Sequence, residues 1–272
     1  MLHGSSTHYI DLKDAYYHVP IHRRYRKFLS FRVDDEKFQF TQMPFGLAIA
    51  PRVFTKLISV VVSALALKGV RILPYLDDWL VWADTESSCH NMVLATLREI
   101  QFRGLDVNLP KSHFVPCQRL QWLGLVWDSS LATVSLPPDK QVTVREAVSA
   151  FRDSSVTTLR TWQQLLGLLN FAAQIISEGK IILRGMMYEA SLVSSPPIDV
   201  QFPTPYTLKE SVSWWSDSLR LEQGFPWAPP EPSLLVITDA SDWGWGFHSD
   251  QGFQLSDSWS EELLLHINTR EL

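Results

Sequence analysis

The chain has 272 residues, of which 46% are hydrophobic and 19% are charged, so it is globular and long enough for a substantial core. Its formal net charge is −5, which counts against a dedicated nucleic-acid binder because such proteins usually carry a basic surplus. No apolar run reaches about 18 residues, so we expect no membrane span. The two cysteines, Cys89 and Cys117, and the lack of a signal peptide indicate an intracellular protein, cytoplasmic or nuclear.

The first half of the chain alternates short β segments with two helices. An early strand covers Tyr9 and Ile10, and the proline after Ala50 opens a helix that keeps apolar spacing to Lys68. The other predicted elements are strands over 28–33 and 38–43, a hairpin over 70–83, a helix over 86–102, and strands over 122–127 and 131–136. This order predicts an α+β fold, with an antiparallel sheet covered by helices on one face.

The pattern becomes helical after Pro137. The predicted helices cover about 138–151, 158–177 and 206–221, and proline-rich stretches occupy 194–205 and 224–232. Three further strands are predicted over 234–238, 243–248 and 252–255. We therefore expect a helical module between two β-rich regions.

One basic run interrupts the acidic average. Residues 22–27 read His-Arg-Arg-Tyr-Arg-Lys, a pattern typical of a contact with phosphates. A solvated loop explains the same run equally well, so charge alone leaves both interpretations open.

Asp77 and Asp78 form the most informative pair in the sequence. They separate two apolar runs, which predicts a strand, a tight turn at the acids and a second strand. Removing a charged carboxylate from water costs free energy, so two acids at an otherwise buried hairpin tip indicate a function such as metal binding. Asp34 and Asp35 are also adjacent, but Glu36 and Lys37 follow them, which is typical of an ordinary turn.

Asp11 supplies a third carboxylate, because it ends the early strand-like segment. Three clustered acids repel one another and tend to hold protons. A pair of divalent cations resolves this repulsion, and such pairs catalyse phosphoryl transfer. The three acids therefore predict a nucleotide-polymerising site.

Five motifs, in order, resemble those of reverse transcriptases. They are residues 10–21 (IDLKDAYYHVPI), 43–51 (MPFGLAIAP), 75–78 (YLDD), 108–111 (NLPK) and 120–124 (LQWLG). Chance explains one such match, whereas five in the family's order are specific. The second motif and the residues after it resemble retrotransposons of the gypsy or DIRS type.

The resemblance implies a domain organisation. It places a polymerase palm with partial fingers over 1–137, a helical thumb over 138–190, a connection over 191–232, and a truncated ribonuclease H-like α/β domain over 233–272. Asp239 after a strand, and Glu271 at a helix start, are similar to metal ligands of ribonuclease H. Turn or cap roles suit both residues as well, since Asn268 and Glu271 have capping-box spacing.

The resemblance also implies the chemistry of the palm. The catalytic acids would be Asp11, Asp77 and Asp78, which hold two Mg²⁺ ions, or Mn²⁺ in their place, with the Leu12 carbonyl as a further ligand. Phe45 and Gly46 would form part of the nucleotide-binding floor. Tyr16 corresponds to the steric gate that excludes ribonucleotides, and Lys111 to a donor of a proton to pyrophosphate. A core tyrosine and an exposed lysine are the plain alternatives for these last two residues.

Two further regions resemble contacts with the primer and template. The first is the hairpin with Trp122, Leu123 and Gly124, and the second is a thumb helix with Gln163, Gly167 and Phe171. With Asn170 and Gln174, the thumb residues Gln163 and Gly167 give a polar or small stripe suited to a minor groove. A helix–helix contact with a polar edge is the alternative interpretation of this stripe.

The implied function is that of an RNA-directed DNA polymerase with a partial ribonuclease H region. Its partners would be an RNA template, a DNA primer, RNA–DNA hybrids and deoxynucleoside triphosphates, while the oligomeric state stays open. Ten residues precede Asp11 and the chain stops at Leu272, which we interpret as a central piece of a larger polyprotein or as a gene copy with both ends lost. The alternative is an inactive remnant that binds RNA–DNA hybrids or a protein.

Overall fold

The computed structural model describes residues 4–176, 178–192, 197–217, 221–222, 224–227 and 233–259. The chain divides into two compact units, Met1–Trp227 and Ala228–Leu272. The described α-helices are α1 (Ala50–Leu67), α2 (Glu86–Phe102), α3 (Pro138–Asp153), α4 (Leu159–Ala172), α5 (Gly179–Leu192) and α6 (Tyr206–Trp214). Two 3-10 helices cover Ala15–His18 and Arg23–Leu29.

The strands of the first unit are β1 (Ser6–Asp11), β2 (Ser30–Val33), β3 (Glu36–Gln39), β4 (Ile72–Tyr75), β5 (Asp78–Ala83), β6 (His113–Cys117), β7 (Arg119–Trp122), β8 (Leu125–Asp128), β9 (Thr133–Ser135), β10 (Val156–Thr158), β11 (Gln201–Pro203) and β12 (Phe225–Pro226). The second unit contains β13 (Val236–Ala240), β14 (Gly244–Ser249) and β15 (Gln254–Ser258).

An antiparallel sheet of order β4-β5-β1-β6 lies at the centre of the first unit. Alternation along the strands sends Ile10, Trp79 and Val81 to one face, where they are fully buried in a core shared with α1 and α2. Phe54 and Leu65 complete this core from α1. The predicted sheet with helices on one face is therefore confirmed.

Helix α1 is long and apolar enough to cross a bilayer, as judged by length and composition alone. Its buried residues are Ala50, Phe54, Ile58, Val61 and Leu65, which recur at helical spacing and pack on the sheet. The apolar composition of α1 therefore has a role in the core of this unit.

A second core joins the helices α3 to α6 with a sheet of order β12-β9-β8-β7. Trp162, Leu169, Met186 and Trp215 are almost completely buried there. Gly179 is the first residue of α5. A larger residue does not fit there, because a Cβ would lie 2.9 Å from the Trp215 ring, closer than real contacts allow. The sequence predicts no separate helix at this position. The helix predicted over 158–177 is also too long, because α4 ends at Ala172.

Other predicted elements need correction. Residues 23–29 form a 3-10 helix, so the strand predicted over 28–33 begins only at Ser30. The strand predicted over 38–43 is replaced by β3, which ends at Gln39. The strand predicted over 122–127 is a hairpin of β7 and β8, because Leu123 and Gly124 take positive φ angles and reverse the chain. Helix α6 ends at Trp214, short of the predicted residue 221. Strand β6 lacks a clear apolar alternation and is missing from the prediction.

The second unit contains an antiparallel sheet of order β13-β14-β15. Its three strands begin one or two residues after the predicted positions 234, 243 and 252. Asp239 lies on β13 opposite Gly246 of β14.

Glu99 on α2 provides a test of the packing of α1 against α2. Its side chain is 7% exposed and accepts from Lys68 Nζ at 2.6 Å and from Arg103 Nε at 2.9 Å. These cations, Lys68 first, lower the pKa of the Glu99 carboxyl. A lowered folded-state pKa stabilises the protein above the unfolded pKa of about 4.5 and loses that effect as the pH falls.

We therefore expect Glu99→Gln to lower the Tm at pH 7, with the difference from the wild type shrinking as the pH falls below about 4.5. Thermal melts across this pH range measure the effect, and the exposed Glu146→Gln on α3 is the control. A deficit that does not change with pH would assign the loss to packing instead of charge.

Candidate catalytic site

The pairing of β1 with β5 brings the predicted acids together. Asp11 and Asp78 are direct cross-strand partners, so their side chains leave the same face of the sheet. Asp77 lies in the turn that joins β4 to β5, and its carbonyl accepts from the Leu12 N–H at 2.9 Å. Two chain segments more than sixty residues apart therefore meet where β1 ends and β5 begins.

The tight turn before these acids depends on a buried tryptophan. Leu76 has a φ of 53°, in the left-handed region that residues with a Cβ rarely adopt. The Trp79 ring is fully buried, and its Nε1–H donates to the Leu76 carbonyl at 2.9 Å. This hydrogen bond fixes the turn that presents Asp77.

A third segment is tied to Asp11 by its backbone. The Asn108 N–H donates to the Asp11 carbonyl at 2.8 Å, and the Asp11 N–H donates to Ser112 Oγ at 3.0 Å. Lys111 lies between these two contacts in sequence. The geometry therefore places the predicted lysine motif beside the acids.

Burial raises the pKa of the Asp77 carboxyl, and the charges of Asp78 and Asp11 raise it further. The positive charge of Lys111 acts in the opposite direction. Asp11 is only 7% exposed, so the acids share a poorly solvated place. Cations are the groups that would lower the free energy of such a cluster.

Sequence reasoning missed Tyr9. Its hydroxyl donates to Asp78 Oδ1 and also lies 3.2 Å from Asp11 Oδ2. The signal was present in the sequence, because Tyr9 precedes Asp11 by two residues and a strand turns such residues to the same face.

The predicted nucleotide-binding residues form an aromatic wall. The Tyr16 ring lies 4.9 Å from that of Phe45 and 5.6 Å from that of Phe54, measured between centroids. Burial raises the pKa of the Tyr16 phenol, and the nearby charge of Asp77 adds to this. Phe45 is 56% exposed, and Gly46 next to it has open space around the position of a Cβ. Tyr16 is thus packed from behind and lies close to the acids.

The predicted primer and template residues divide into two kinds. Gln163 and Gly167 lie on the exposed face of α4, so they are accessible to a ligand. Trp122 is 7% exposed and packs with Leu80 and Leu120, which makes its indole a support of the hairpin. A side-chain contact of Trp122 with a primer would require this cluster to open.

Phe171 joins these two regions. A Cβ on Gly124 would lie 3.2 Å from the Phe171 ring, so the hairpin turn approaches α4 closely. Gly124 has a φ of 76°, which also favours glycine. Leu123, the other turn residue, has a φ of 50° and packs against the Leu80 cluster.

Residues 3–127 match the family model described as reverse transcriptase (RNA-dependent DNA polymerase). This range contains the three acids, Tyr16, Phe45, Gly46, Lys111 and the hairpin turn. The chain carries a reverse transcriptase domain. The prediction of the family from the five motifs is confirmed.

A curated viral polyprotein is similar to most of this chain. The enzymatic polyprotein of Figwort mosaic virus (strain DxS) is 25% identical over 250 residues, which are 87% of this chain and 33% of that protein. The chain therefore spans about a third of the length of this curated relative.

Solved structures of the foamy viral protease-reverse transcriptase share the fold. The dRH form in complex with double-stranded DNA matches with a TM-score of 0.67 at 18% identity, over 94% of this chain and 43% of that one. The complex with an RNA/DNA hybrid matches with a TM-score of 0.64 at 19% identity, over 94% and 33% of the two chains.

The side chains of Asp11, Asp77 and Asp78 offer carboxylate oxygens, which are suitable ligands for a hard divalent cation. Within the residues that the structure describes, no three His, Cys, Asp or Glu side chains already surround one metal position. The Asp78 carboxylate accepts a hydrogen bond from the Tyr9 hydroxyl. Asp239, predicted to ligate a second metal site, is exposed and accepts from the Ala240 N–H, and Glu271 lies outside the described residues.

Trp79→Phe tests the support of the catalytic turn. Phenylalanine keeps most of the packing but removes the donor to the Leu76 carbonyl and leaves a small cavity. We expect the free energy of unfolding to fall by about 2–3 kcal/mol. Urea denaturation measures this loss, and Trp82→Phe on the same strand, which is only partly buried, serves as the matched control. Equal losses in the two variants would contradict a special role of the Trp79 hydrogen bond.

Proposed function

We propose that this chain is the palm and thumb part of an RNA-directed DNA polymerase of a retroelement. It would extend a DNA primer on an RNA template with deoxynucleoside triphosphates. The observation that carries the proposal is the direct pairing of Asp11 with Asp78, beside Asp77 and within reach of the Lys111 charge. The relatives supply the nucleic-acid class, since two of their structures hold double-stranded DNA and an RNA/DNA hybrid.

Asp11 and Asp77 would hold two Mg²⁺ ions, with Asp78 in a supporting role. Bound divalent cations lower the pKa of the primer 3′-hydroxyl and neutralise the triphosphate and the leaving pyrophosphate. The chain itself contributes positioning, because the β1–β5 register and the Trp79 hydrogen bond hold the carboxylates in place.

Two side chains would act on the nucleotide directly. The Tyr16 ring, held by Phe45 and Phe54, would lie under the incoming sugar and collide with a 2′-hydroxyl. Lys111 carries a positive charge near Asp77 and would donate a proton to the departing pyrophosphate.

The thumb would hold the duplex through exposed groups on α4. Gln163 offers an amide to base edges and 2′-hydroxyls, and Gly167 permits close approach of the backbone. The hairpin turn at Leu123 and Gly124 would support the primer end. We infer the retrotransposon origin from residues 43–51, and a partial ribonuclease H region from Asp239 on β13.

Primer extension tests the catalytic assignment. The purified chain is incubated with a labelled DNA primer on an RNA template, Mg²⁺ and deoxynucleotides. We expect Asp77→Asn to reduce extension at least about 100-fold, because misplacing a catalytic group alone costs that much. Asp34→Asn is the matched control, since it changes another adjacent acid pair at a positive φ that asparagine tolerates.

Absence of extension from wild type and variants alike would refute polymerase activity of this chain. A mobility-shift measurement with an RNA–DNA hybrid would then test the binding-module alternative.

Tyr16→Ala tests the sugar gate. Removing the ring opens space beneath the sugar, so the ratio of kcat/KM for ribonucleotides to that for deoxynucleotides should rise about 10- to 100-fold. Tyr17→Ala is the control, because its ring also contacts Phe45, at 5.6 Å between centroids. An unchanged ratio in an active Tyr16→Ala enzyme would remove the gate assignment.

A further inference from the structure

Tyr9 occupies a position that the reaction outlined above does not use. It lies on β1 opposite Leu80 of β5, two pairs away from Asp11 and Asp78. Its side chain leaves the sheet on the same face as Asp11, because residues two apart on a strand share a face. The phenol therefore reaches along the strand toward both carboxylates.

The hydroxyl of Tyr9 bridges the two acids. It donates to Asp78 Oδ1 and lies 3.2 Å from Asp11 Oδ2. Burial raises the pKa of the phenol, and the hydrogen bond to Asp78 is the next largest cause. A phenol has one proton to donate, so it serves one carboxylate at a time, with the second within reach.

The ring of Tyr9 is anchored from the other side. It packs against the cluster of Leu80, Leu120 and Trp122, which joins β5 to the β7–β8 hairpin. Leu80 is fully buried, and Leu120 and Trp122 are nearly so. The packing of this hairpin therefore sets where the hydroxyl lies.

We propose that Tyr9 is a positioning residue that clamps Asp78 toward Asp11 while the site lacks metal, and that divalent cations compete with its hydroxyl for the carboxylate oxygens. The hydroxyl supplies the positive end of a dipole between two negative groups and so reduces their repulsion. Asp78 Oδ1 accepts from this hydroxyl, so an ion that takes the same lone pair must displace the hydroxyl. A contact that stabilises only the metal-free state must weaken metal binding by linkage.

This inference rests on the proposed metal-binding function, but its test needs neither nucleic acid nor nucleotide. Tyr9→Phe removes the hydroxyl and keeps the ring in the cluster. In EDTA we expect Tyr9→Phe to lower the Tm, because the carboxylates lose their shared donor. With Mn²⁺ as the probe, titration calorimetry should show apparent affinity about tenfold higher than wild type, the effect of one hydrogen bond to a charged group.

Tyr206→Phe, at the exposed start of α6, is the matched control and should change neither quantity. The effect of Tyr9→Phe on Mn²⁺ affinity should fall below about threefold in an Asp78→Ala background, where the principal acceptor is gone.

An equal loss of Tm with and without Mn²⁺, together with unchanged affinity, would show that the hydroxyl has only a packing role. Weaker Mn²⁺ binding by Tyr9→Phe, an effect undiminished in Asp78→Ala, or no Mn²⁺ binding by any of these proteins would equally overturn the clamp. Failure of primer extension with normal Mn²⁺ binding would instead refute the proposed polymerase and leave the clamp intact.

Discussion

Two carboxylates held opposite each other on neighbouring strands are the constraint around which the first unit is organised. The β1–β5 register pairs Asp11 with Asp78, and a shift of one residue would turn one of them to the helix-covered face. The register is held because Ile10, Trp79 and Val81 fill the core on that other face. The hydrophobic pattern of the two strands thus enforces a repulsive arrangement of charge, and the Tyr9 hydroxyl supplies a hydrogen-bond donor to the two carboxylates.

Several distant segments converge on this pair through backbone contacts. The turn at Leu76 is fixed by the Trp79 indole, and the segment before Ser112 is tied to the Asp11 backbone. Each of these contacts uses at least one backbone group, and the Trp79 indole and the Ser112 hydroxyl supply the side-chain partners. The Tyr9 hydroxyl then adds a donor to the two carboxylates of this site.

The β7–β8 hairpin links the acids to helix α4. Its inner residues Leu120 and Trp122 hold the ring of Tyr9, while Gly124 at its turn lies against Phe171 of α4. A displacement of α4 is therefore expected to shift the hairpin before it shifts the carboxylates. This contact joins the β7–β8 hairpin to the helical module within the first unit.

The sequence by itself determined the family, the three acids, the helices α1, α2 and α3, and the exposed stripe with Gln163, because each depends on local spacing or on short motifs. It did not determine α5, whose start depends on the approach of Gly179 to Trp215, nor the 3-10 helix over 23–29. The spacing of Tyr9 and Asp11 placed the two side chains on one face, but the burial of Trp122 and the contact of Tyr9 with Asp78 were beyond the sequence, since both join residues far apart in the chain. Only the tertiary structure decided that Asp78 faces a phenol, because that contact requires β1, β5 and the β7–β8 hairpin to pack together.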